Sequence, residues 1–326
     1  MTDMINSIEA LNRALADAMT DHPEVILLGE DLADEEGGGI VGVTKGLSGR
    51  FGDSRVRSTP ISEQAIIGAG IGAALVGMRP VCEIMLMNFT TVAMDMITNH
   101  AAKLRFMSGG QTHVPMVIRT MTGTGLGNGG QHSDYLEAWF AHTPGMKVVS
   151  YSSPSEAYGL MRSAIDDDDP VLFIENIPGY FATGPAPLAG TRIPLGIANI
   201  ARNGEDVTII SYSEMVNLAL AAAAALAEQG ISAEVIDLRT IAPYDRATVL
   251  TSVGKTGRAV IVHEAVRDFG VGAEIAADIS EALHGKLAAP VRRLGGASCP
   301  VPFSKPLETA FAPRKEDIIE IIRGLF

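Results

Sequence analysis

The stretch from Val207 to Leu238, VTIISYSEMVNLALAAAAALAEQGISAEVIDL, decides the fold class. Its first residues, Val207–Ser211, form a β-branched apolar run typical of a buried strand. A helical pattern follows over Glu214–Gln229, and Gly230 stands where glycine commonly ends a helix. A second strand pattern follows at Ala233–Leu238. Two strands joined through a helix are expected to lie parallel in one sheet.

The same alternation of strands and helices extends through the rest of the chain. Further strands are predicted at Val25–Leu28, Val81–Ile84, Val114–Arg119, Lys147–Ser150, Val171–Glu175, Ala259–His263 and Val291–Leu294. Further helices are predicted at Ile5–Thr20, Glu63–Val76, Thr91–Phe106, Tyr135–Ala141, Ser155–Ile165, Val271–His284 and Arg314–Leu325. The pattern predicts an α/β protein with parallel strands and with helices on both faces of its sheets.

One segment interrupts this pattern. Residues 182–196, ATGPAPLAGTRIPLG, are rich in proline and glycine, carry a single charge and show no periodicity. Such a composition is typical of a linker. We therefore predict a first domain over residues 1–181, a linker over 182–196 and a smaller α/β domain over 197–326.

Composition and charge exclude several classes of protein. The chain is 47% hydrophobic and 19% charged, as in a folded globular protein, and its net charge of 25 − 38 = −13 argues against nucleic acid or an anionic membrane as a partner. The longest apolar stretch, Leu218–Ala227, is about half the length of a membrane span. Cys82 and Cys299 stand alone, which excludes a disulfide framework or a Cys-rich zinc site. With no secretory pattern at its first residues, the protein is expected to be cytoplasmic.

Two glycine-rich segments resemble nucleotide-binding loops only superficially. Gly68–Gly72 lies inside a helical pattern, where glycine allows close helix packing and does not form a dinucleotide fingerprint. Gly123–Gly130 follows a strand, but no acidic partner for a ribose is evident after it. This second segment is interpreted either as a mobile active-site loop or as a plain connection.

Individual polar residues also have structural explanations. Glu63 follows Ser62, a plausible helix cap, and an acid in the first helical turn is stabilising in its own right. The run Asp166–Asp169 is typical of a solvated turn. His132 lies in the second glycine segment, where packing does not require a histidine, so it is the stronger candidate for a functional role.

Ordered motifs add a resemblance to a known family. They are Leu28–Asp31 (LGED), Thr59–Glu63 (TPISE), Gly77–Pro80 (GMRP), Met107–Gln111 (MSGGQ), Gln131–Ser133 (QHS), His142–Gly145 (HTPG) and Pro300–Phe303 (PVPF). In order and spacing they resemble the beta subunit of the thiamine-diphosphate-dependent first component of 2-oxo acid dehydrogenase complexes. Pyruvate, branched-chain and acetoin dehydrogenase beta chains belong to that family. The resemblance implies a thiamine-diphosphate pyrimidine-binding domain followed by a transketolase C-terminal-like domain.

The resemblance also implies roles for particular residues. Glu63 matches the glutamate that hydrogen-bonds a pyrimidine nitrogen and so favours the tautomer that activates the thiazolium carbon. Phe89 matches the aromatic residue that stacks on the pyrimidine, Met85 lies in the same segment, and Glu30 matches a second acid behind the ring. His132 matches a loop histidine near the reacting centre, suited to stabilise the substrate carboxylate or the covalent intermediate and to take part in acyl transfer.

A structural potassium ion is a further implication of the family. The matching positions, which act mainly through backbone carbonyls, are Met116, Ala164, Ile165, Asp167 and Asp169. Asp169 stands where the family frequently has asparagine, which leaves the identity and occupancy of the ion open.

The expected partner follows from a motif that the chain lacks. Thiamine enzymes hold the magnesium diphosphate with a GDG-type motif, and none occurs in these 326 residues. The resemblance therefore implies an alpha subunit that supplies the magnesium half-site, in an assembly of two alpha and two beta chains. The implied reaction is decarboxylation of a 2-oxo acid, or cleavage of a ketol such as acetoin, with acyl transfer to lipoamide on a lipoyl-bearing acyltransferase.

Two alternatives stay open at this point. The first is a two-chain transketolase-like enzyme that passes a two-carbon unit to an aldehyde or to the thiol of an acyl-carrier protein. The second is a non-catalytic nucleotide- or flavin-binding electron-transfer subunit, against which the missing ribose acid counts.

Overall fold

The structure is a computed structural model that describes residues 3–326. Its strands are β1 (Met4–Asn6), β2 (Val25–Gly29), β3 (Val56–Ser58), β4 (Arg79–Leu86), β5 (Val117–Thr122), β6 (Lys147–Ser150), β7 (Val171–Asn176), β8 (Thr183–Pro185), β9 (Asn199–Arg202), β10 (Val207–Ser211), β11 (Ala233–Asp237), β12 (Thr240–Ala242), β13 (Ala259–Val266) and β14 (Arg292–Gly296). Its α-helices are α1 (Ser7–Asp21), α2 (Leu47–Phe51), α3 (Glu63–Leu75), α4 (Leu104–Met107), α5 (Gly130–Ser133), α6 (Glu137–Ala141), α7 (Pro154–Asp166), α8 (Met215–Ala227), α9 (Arg246–Thr256), α10 (Val271–Ala282), α11 (Lys305–Phe311) and α12 (Lys315–Arg323).

The chain forms two compact units. The first comprises the residues up to Thr122 together with Trp139–Leu195, and the second comprises Gly123–Ala138 and Gly196–Phe326. The segment Gly123–Ala138 thus groups with the C-terminal part of the chain, an association that local sequence patterns do not reveal. The domain boundaries stated above, including the linker, stay a prediction. Within the segment 182–196, β8 pairs antiparallel with β1.

The first unit is built on a parallel sheet. Its strands run in the order β6-β7-β5-β4-β2-β3, and every neighbouring pair is parallel. All residues of β2, β5 and β7 are buried, as expected where helices cover both faces of a parallel sheet. The predicted α/β fold with parallel strands is confirmed.

Adjacent residues of β4 show how the two faces are covered. Val81 belongs to the core cluster formed with α1 and α7. Cys82 points to the opposite face, where its thiol lies 3.8 Å from the carbonyl oxygen of Ile66 in α3. A Cβ atom on Gly70 of α3 would lie only 2.5 Å from Cys82 Sγ. Glycine is therefore required at position 70 for the helix to approach the sheet, which confirms close packing as the reason for this glycine.

The second unit contains the βαβ stretch from which the sequence argument began. Its strands run in the order β14-β13-β10-β11-β9, and only β9 is antiparallel to its neighbour. The first and last strands of the quoted stretch, β10 and β11, pair parallel from Val207 opposite Ala233. The helix between them, α8, packs with α12 on the apolar core of this unit.

The prediction of one continuous helix over Thr91–Phe106 is wrong in detail. The chain forms a 3₁₀ segment (Met87–Ala93), a π-helical turn (Met96–Ala101) and only then the short helix α4. Threonine hydroxyls contribute to this irregularity, because Thr90 donates to the carbonyl of Met87 and Thr98 donates to that of Met94. Such bonds compete with the regular α-helical pattern.

Helix length bears on membrane insertion. The longest helix, α1, has 15 residues. No helix within residues 3–326 is long and apolar enough to cross a membrane. The cytoplasmic location stays a prediction.

We expect Gly70→Ala to destabilise the chain by about 1–3 kcal/mol, because the new methyl group would overlap Cys82 Sγ in a packed core. In a Cys82→Ala background the same substitution should cost much less, since the sulfur is gone. Denaturant-unfolding midpoints would measure both effects. Gly72→Ala is the matched control: no atom lies within 4 Å of its Cβ position, so it should stabilise the helix by about 0.5–1 kcal/mol. Equal effects of Gly70→Ala in both backgrounds would contradict the packing argument.

Candidate active site

The residues predicted to contact a ligand lie where three neighbouring strands end. Glu30 directly follows β2, Glu63 begins the helix after β3, and Phe89 lies in the 3₁₀ segment after β4. Since β2 pairs parallel with both β3 and β4, the carboxyl ends of all three strands meet at one edge of the sheet. Ligands of open α/β sheets bind at this edge.

Two carboxyl groups interact at this edge. Glu63 is 8% exposed and occupies the first turn of α3, where the helix dipole favours a negative charge. Burial raises the pKa of Glu30 above its ordinary value, and the nearby charges of Glu63, Asp31 and Glu83 raise it further. The carboxyl group of Glu30 is therefore harder to ionise than an ordinary glutamate, and the charge of Glu63 is one of the causes.

The expected cap of α3 does not form as predicted. Ser62 stands at the cap position, but its hydroxyl donates to the carbonyl oxygen of Pro60 at 2.9 Å and accepts no bond from the helix. Nearby, the hydroxyl of Thr59 is buried and has no hydrogen-bond partner among residues 3–326. The segment before α3 therefore keeps one buried hydroxyl, that of Thr59, without a partner among the described residues, as a site for a polar ligand would.

Apolar side chains complete this edge. Met85, near the end of β4, and Phe89 are both partly buried and pack against the core cluster that contains α1 and α7. Met85 also lines a small cleft together with residues of the loop Gly39–Val43. An edge that carries two carboxyl groups, an aromatic ring and a thioether suits a flat heterocycle that carries a protonated nitrogen.

A buried charge network that the sequence argument missed lies in the same cleft. The guanidinium of Arg119 on β5 donates to both carboxylate oxygens of Glu175, at 2.7 and 2.8 Å, and to Glu83 at 2.5 Å. The hydroxyl of Tyr180 donates to Glu175 as well. Burial raises the pKa of Glu83, and the charge of Arg119 opposes that rise. Single charged residues within otherwise apolar strands are the signal that could have located this network.

His132 belongs to the second unit. It is exposed, and it lies in the four-residue helix α5 that follows the glycine segment. Farther along, the hydroxyl of Tyr135 lies 3.0 Å from that of Ser213, and Tyr212 donates to Glu137 at 2.7 Å. Burial raises the pKa of Glu137 to about 7. Side chains of the second unit thus bind the segment that carries His132.

The five positions assigned to potassium lie around the last turn of α7 and the strands beside it. They are Met116, Ala164, Ile165, Asp167 and Asp169. The guanidinium of Arg79 donates to the carbonyl oxygens of Ile165 and Asp167, at 2.9 and 3.1 Å. The carbonyl oxygen of Met116 accepts the first N–H of β7 at 2.9 Å. Three of the five carbonyls therefore already accept hydrogen bonds from the chain.

The two carboxylates of this group are paired with cations of the chain. Lys147 donates to both oxygens of Asp167 at 2.7 Å and lies 3.5 Å from Asp169. Arg105 donates to Asp169 at 2.6 Å. The carboxylates of Asp167 and Asp169 are therefore neutralised by basic side chains, while the site is assigned mainly to backbone carbonyls.

Comparison with known proteins identifies the family. Residues 3–180 match the transketolase pyrimidine-binding domain and residues 196–318 match the transketolase C-terminal domain. The chain is 45% identical over 322 residues to the acetoin:2,6-dichlorophenolindophenol oxidoreductase subunit beta of Cupriavidus necator, covering 96% of this chain and 95% of that protein. It belongs to the beta subunits of thiamine-diphosphate-dependent 2-oxo acid and acetoin dehydrogenases.

Further members of this beta-subunit family are about equally similar. The chain is 45% identical over 315 residues to the mitochondrial pyruvate dehydrogenase E1 component subunit beta-1 of Oryza sativa, covering 95% of this chain and 84% of that protein. It is 40% identical over 331 residues to the acetoin:2,6-dichlorophenolindophenol oxidoreductase subunit beta of Bacillus subtilis, covering 98% and 97%. Identity alone does not separate acetoin from pyruvate relatives.

A solved structure supports the fold assignment. A split-gene transketolase, described as an inactive beta4 tetramer, matches with a TM-score of 0.81 at 21% identity and covers 98% of both chains. At this identity the likeness concerns the fold. The predicted pyrimidine-binding and transketolase C-terminal-like architecture is confirmed.

We expect Glu30→Gln to raise the unfolding temperature of the chain at pH 7.5 by about 1–4 °C. A carboxyl whose pKa is raised on folding stabilises the folded state below its unfolded pKa, and this contribution is lost as the pH rises through the folded pKa. The gain from glutamine should therefore vanish near pH 4 and grow toward neutral pH, as differential scanning calorimetry at several pH values would show. The exposed Glu35, replaced by glutamine, serves as control. A pH-independent effect of Glu30→Gln would contradict the assignment.

Proposed function

We propose that this chain is the beta half of a two-chain thiamine-diphosphate enzyme that decarboxylates a 2-oxo acid or cleaves a ketol such as acetoin. The acyl group formed is then transferred to lipoamide. The observation that carries the proposal is the interaction of Glu30 with Glu63 at the carboxyl edge of the first sheet, the edge at which β4 ends near Met85 and Phe89. The near full-length similarity to acetoin and pyruvate dehydrogenase beta subunits supports it.

The residues at this edge fit the aminopyrimidine of thiamine diphosphate. When bound, the cofactor supplies a nucleophilic carbon and an electron sink for the bond that breaks. Glu63 would hold a proton at a pyrimidine nitrogen, and Glu30 would lie behind the ring as a second acid. Phe89 would stack on the ring, and Met85 would exclude water from one side.

We propose that an alpha subunit supplies the magnesium half-site, in an assembly of two alpha and two beta chains. A lipoyl-bearing acyltransferase would receive the acyl group. Within residues 3–326 no group of three or more His, Cys, Asp or Glu side chains is arranged to hold a metal ion. The names of the relatives, each a subunit beta, support a heteromeric enzyme.

His132 is proposed to act at the reacting centre. An exposed imidazole in a short helix after a glycine segment is suited to stabilise a substrate carboxylate or the developing charge of the intermediate, and to assist transfer to the carrier.

A potassium ion at Met116, Ala164, Ile165, Asp167 and Asp169, held mainly by backbone carbonyls, stays a prediction. Arg79 donates to the carbonyl oxygens of Ile165 and Asp167, and each of these oxygens keeps a second lone pair. Lys147 and Arg105 pair with the carboxylates of Asp167 and Asp169, so the proposed ligands are the carbonyls.

The test is reconstitution with an alpha subunit of this family from the same genome, with thiamine diphosphate and magnesium. Pyruvate, a branched-chain 2-oxo acid and acetoin are supplied separately, with dichlorophenolindophenol as the electron acceptor. We expect at least one substrate to reduce the dye, and we expect no reduction when the alpha subunit is omitted. Inactivity with all three, together with two-carbon transfer from a ketose phosphate to an aldehyde, would favour the transketolase-like alternative instead.

We expect Glu63→Gln to preserve assembly but to slow hydrogen–deuterium exchange at the thiazolium carbon of the reconstituted enzyme by about 10²- to 10⁴-fold. An amide can still hydrogen-bond the pyrimidine, but it is a poor proton relay. Nuclear magnetic resonance of quenched samples would measure the exchange. Glu24→Gln, at a half-exposed position before β2, is the control. Unchanged exchange in Glu63→Gln would leave Glu63 as a helix-end acid only.

A further inference from the structure

The segment Gly123–Gly129, here called the glycine loop, connects β5 to the helix that carries His132. Gly123, Gly125, Gly127 and Gly129 all have positive φ angles, between +71° and +126°. Glycine adopts such angles freely, but it also has more alternative conformations than any other residue. A loop of this composition needs contacts from outside to hold one shape.

Glu308 provides the most extensive of these contacts. Its carboxylate accepts the backbone N–H of Gly125 at 2.7 Å and that of Gly127 at 3.0 and 3.2 Å. The residue is only 2% exposed. Lys305, one helical turn earlier in α11, lies 3.6 Å from this carboxylate and donates to the carbonyl oxygen of Gly125 at 2.5 Å. Two N–H groups of one loop that converge on one buried anion form a strong, directional set of charge-assisted bonds.

A second buried carboxylate holds the beginning of the loop. Glu264, at 5% exposure, accepts both the N–H and the hydroxyl of Thr124, at 2.5 and 2.6 Å. Glu264 belongs to β13, a central strand of the second sheet. The loop is thus tied to a strand at one point and to α11 at another.

Packing restricts the end of the loop. A Cβ atom on Gly129 would lie 2.5 Å from the ring of Phe303, and one on Gly130 would lie 3.1 Å from Pro300. Both partners belong to the PVPF string that directly precedes α11. The same short region therefore supplies the carboxylate that binds the loop and the surfaces against which its last residues rest.

We propose that Glu308 is a positioning residue: its carboxylate shapes the glycine loop and thereby fixes where α5 presents His132. The inference rests on the proposed role of His132 in the reaction. His132 follows the loop by three residues, and Tyr135 and Glu137 hold the segment after it, so the contacts of the loop fix the other side of the short helix. An error of about 1 Å in the position of a reacting group can reduce a rate by about 10²-fold.

The test is a double-substitution cycle in the reconstituted alpha–beta enzyme. We expect Glu308→Gln to lower turnover by about 10- to 100-fold, with half-saturation by thiamine diphosphate changed by less than about twofold. The glutamine has the same size, but its amide hydrogens would oppose one of the two loop N–H groups. In a His132→Ala background, Glu308→Gln should have almost no additional effect, because the group that it positions is gone.

Hydrogen exchange provides a readout independent of activity. In the full chain, Glu308→Gln should accelerate amide exchange in peptides covering residues 123–133 while the strands of the second sheet stay protected. Glu281→Gln, an exposed position on α10, is the matched control. If Glu308→Gln does not fold, Lys305→Met removes one loop contact and leaves the carboxylate, and it should show the same pattern at smaller size.

The outcomes separate the two hypotheses. Normal turnover in Glu308→Gln with a slow His132→Ala enzyme would overturn the positioning role alone. Multiplicative losses in the double variant would also overturn it, since Glu308 would then act independently of His132. A His132→Ala enzyme with normal rates would contradict the proposed role of His132 and, with it, this inference. Slow single variants without further loss in the double variant, together with local acceleration of exchange, would support it.

Discussion

The parallel pairing of β2 with both β3 and β4 is the constraint on which the first unit depends. It brings the residues that follow three separate strands to one edge, although Glu30, Glu63 and Phe89 are far apart in sequence. Covered on both faces, such a sheet has mostly apolar strands, with Glu83, Arg119 and Glu175 as charged exceptions, and the residues predicted to bind a ligand stand where the strands end. The position of the candidate site is thus a consequence of how the sheet is built.

Three charged side chains inside this unit are paired with one another. Arg119 donates to Glu175 and Glu83, which flank it on neighbouring strands, and the charge of Glu83 contributes to the raised pKa of Glu30. A buried guanidinium with bidentate geometry retains its charge, so it can act as a permanent counterion. The network thus places a permanent positive charge near the carboxyl groups at this edge of the sheet.

In the second unit, buried carboxylates are paired with backbone N–H groups. Glu264 and Glu308 are buried acids whose partners include loop N–H groups and, for Glu308, a lysine. A carboxylate that accepts several such bonds is stable when buried, and the N–H groups that it binds would otherwise lack partners. The glycine loop consequently adopts one conformation because these carboxylates bind it. Its own residues, rich in glycine, would not favour a single conformation.

The sequence by itself determined the fold class, most of the strands and helices, and the family. β-branched runs with period and length typical of strands predicted β6 and β10 to the residue, because hydrophobic patterning reports burial directly. The residue patterns of the sequence indicated Glu63 and His132 only as candidates. The family resemblance supplied their roles, and these roles stay predictions. Only the tertiary structure decided that Gly123–Ala138 groups with the C-terminal unit, that Ser62 does not cap α3, and that Arg79 binds the carbonyls of Ile165 and Asp167. Those features arise from contacts between residues tens to hundreds of positions apart, or from competition between two local hydrogen bonds of similar strength, and neither leaves a periodic signal in the sequence.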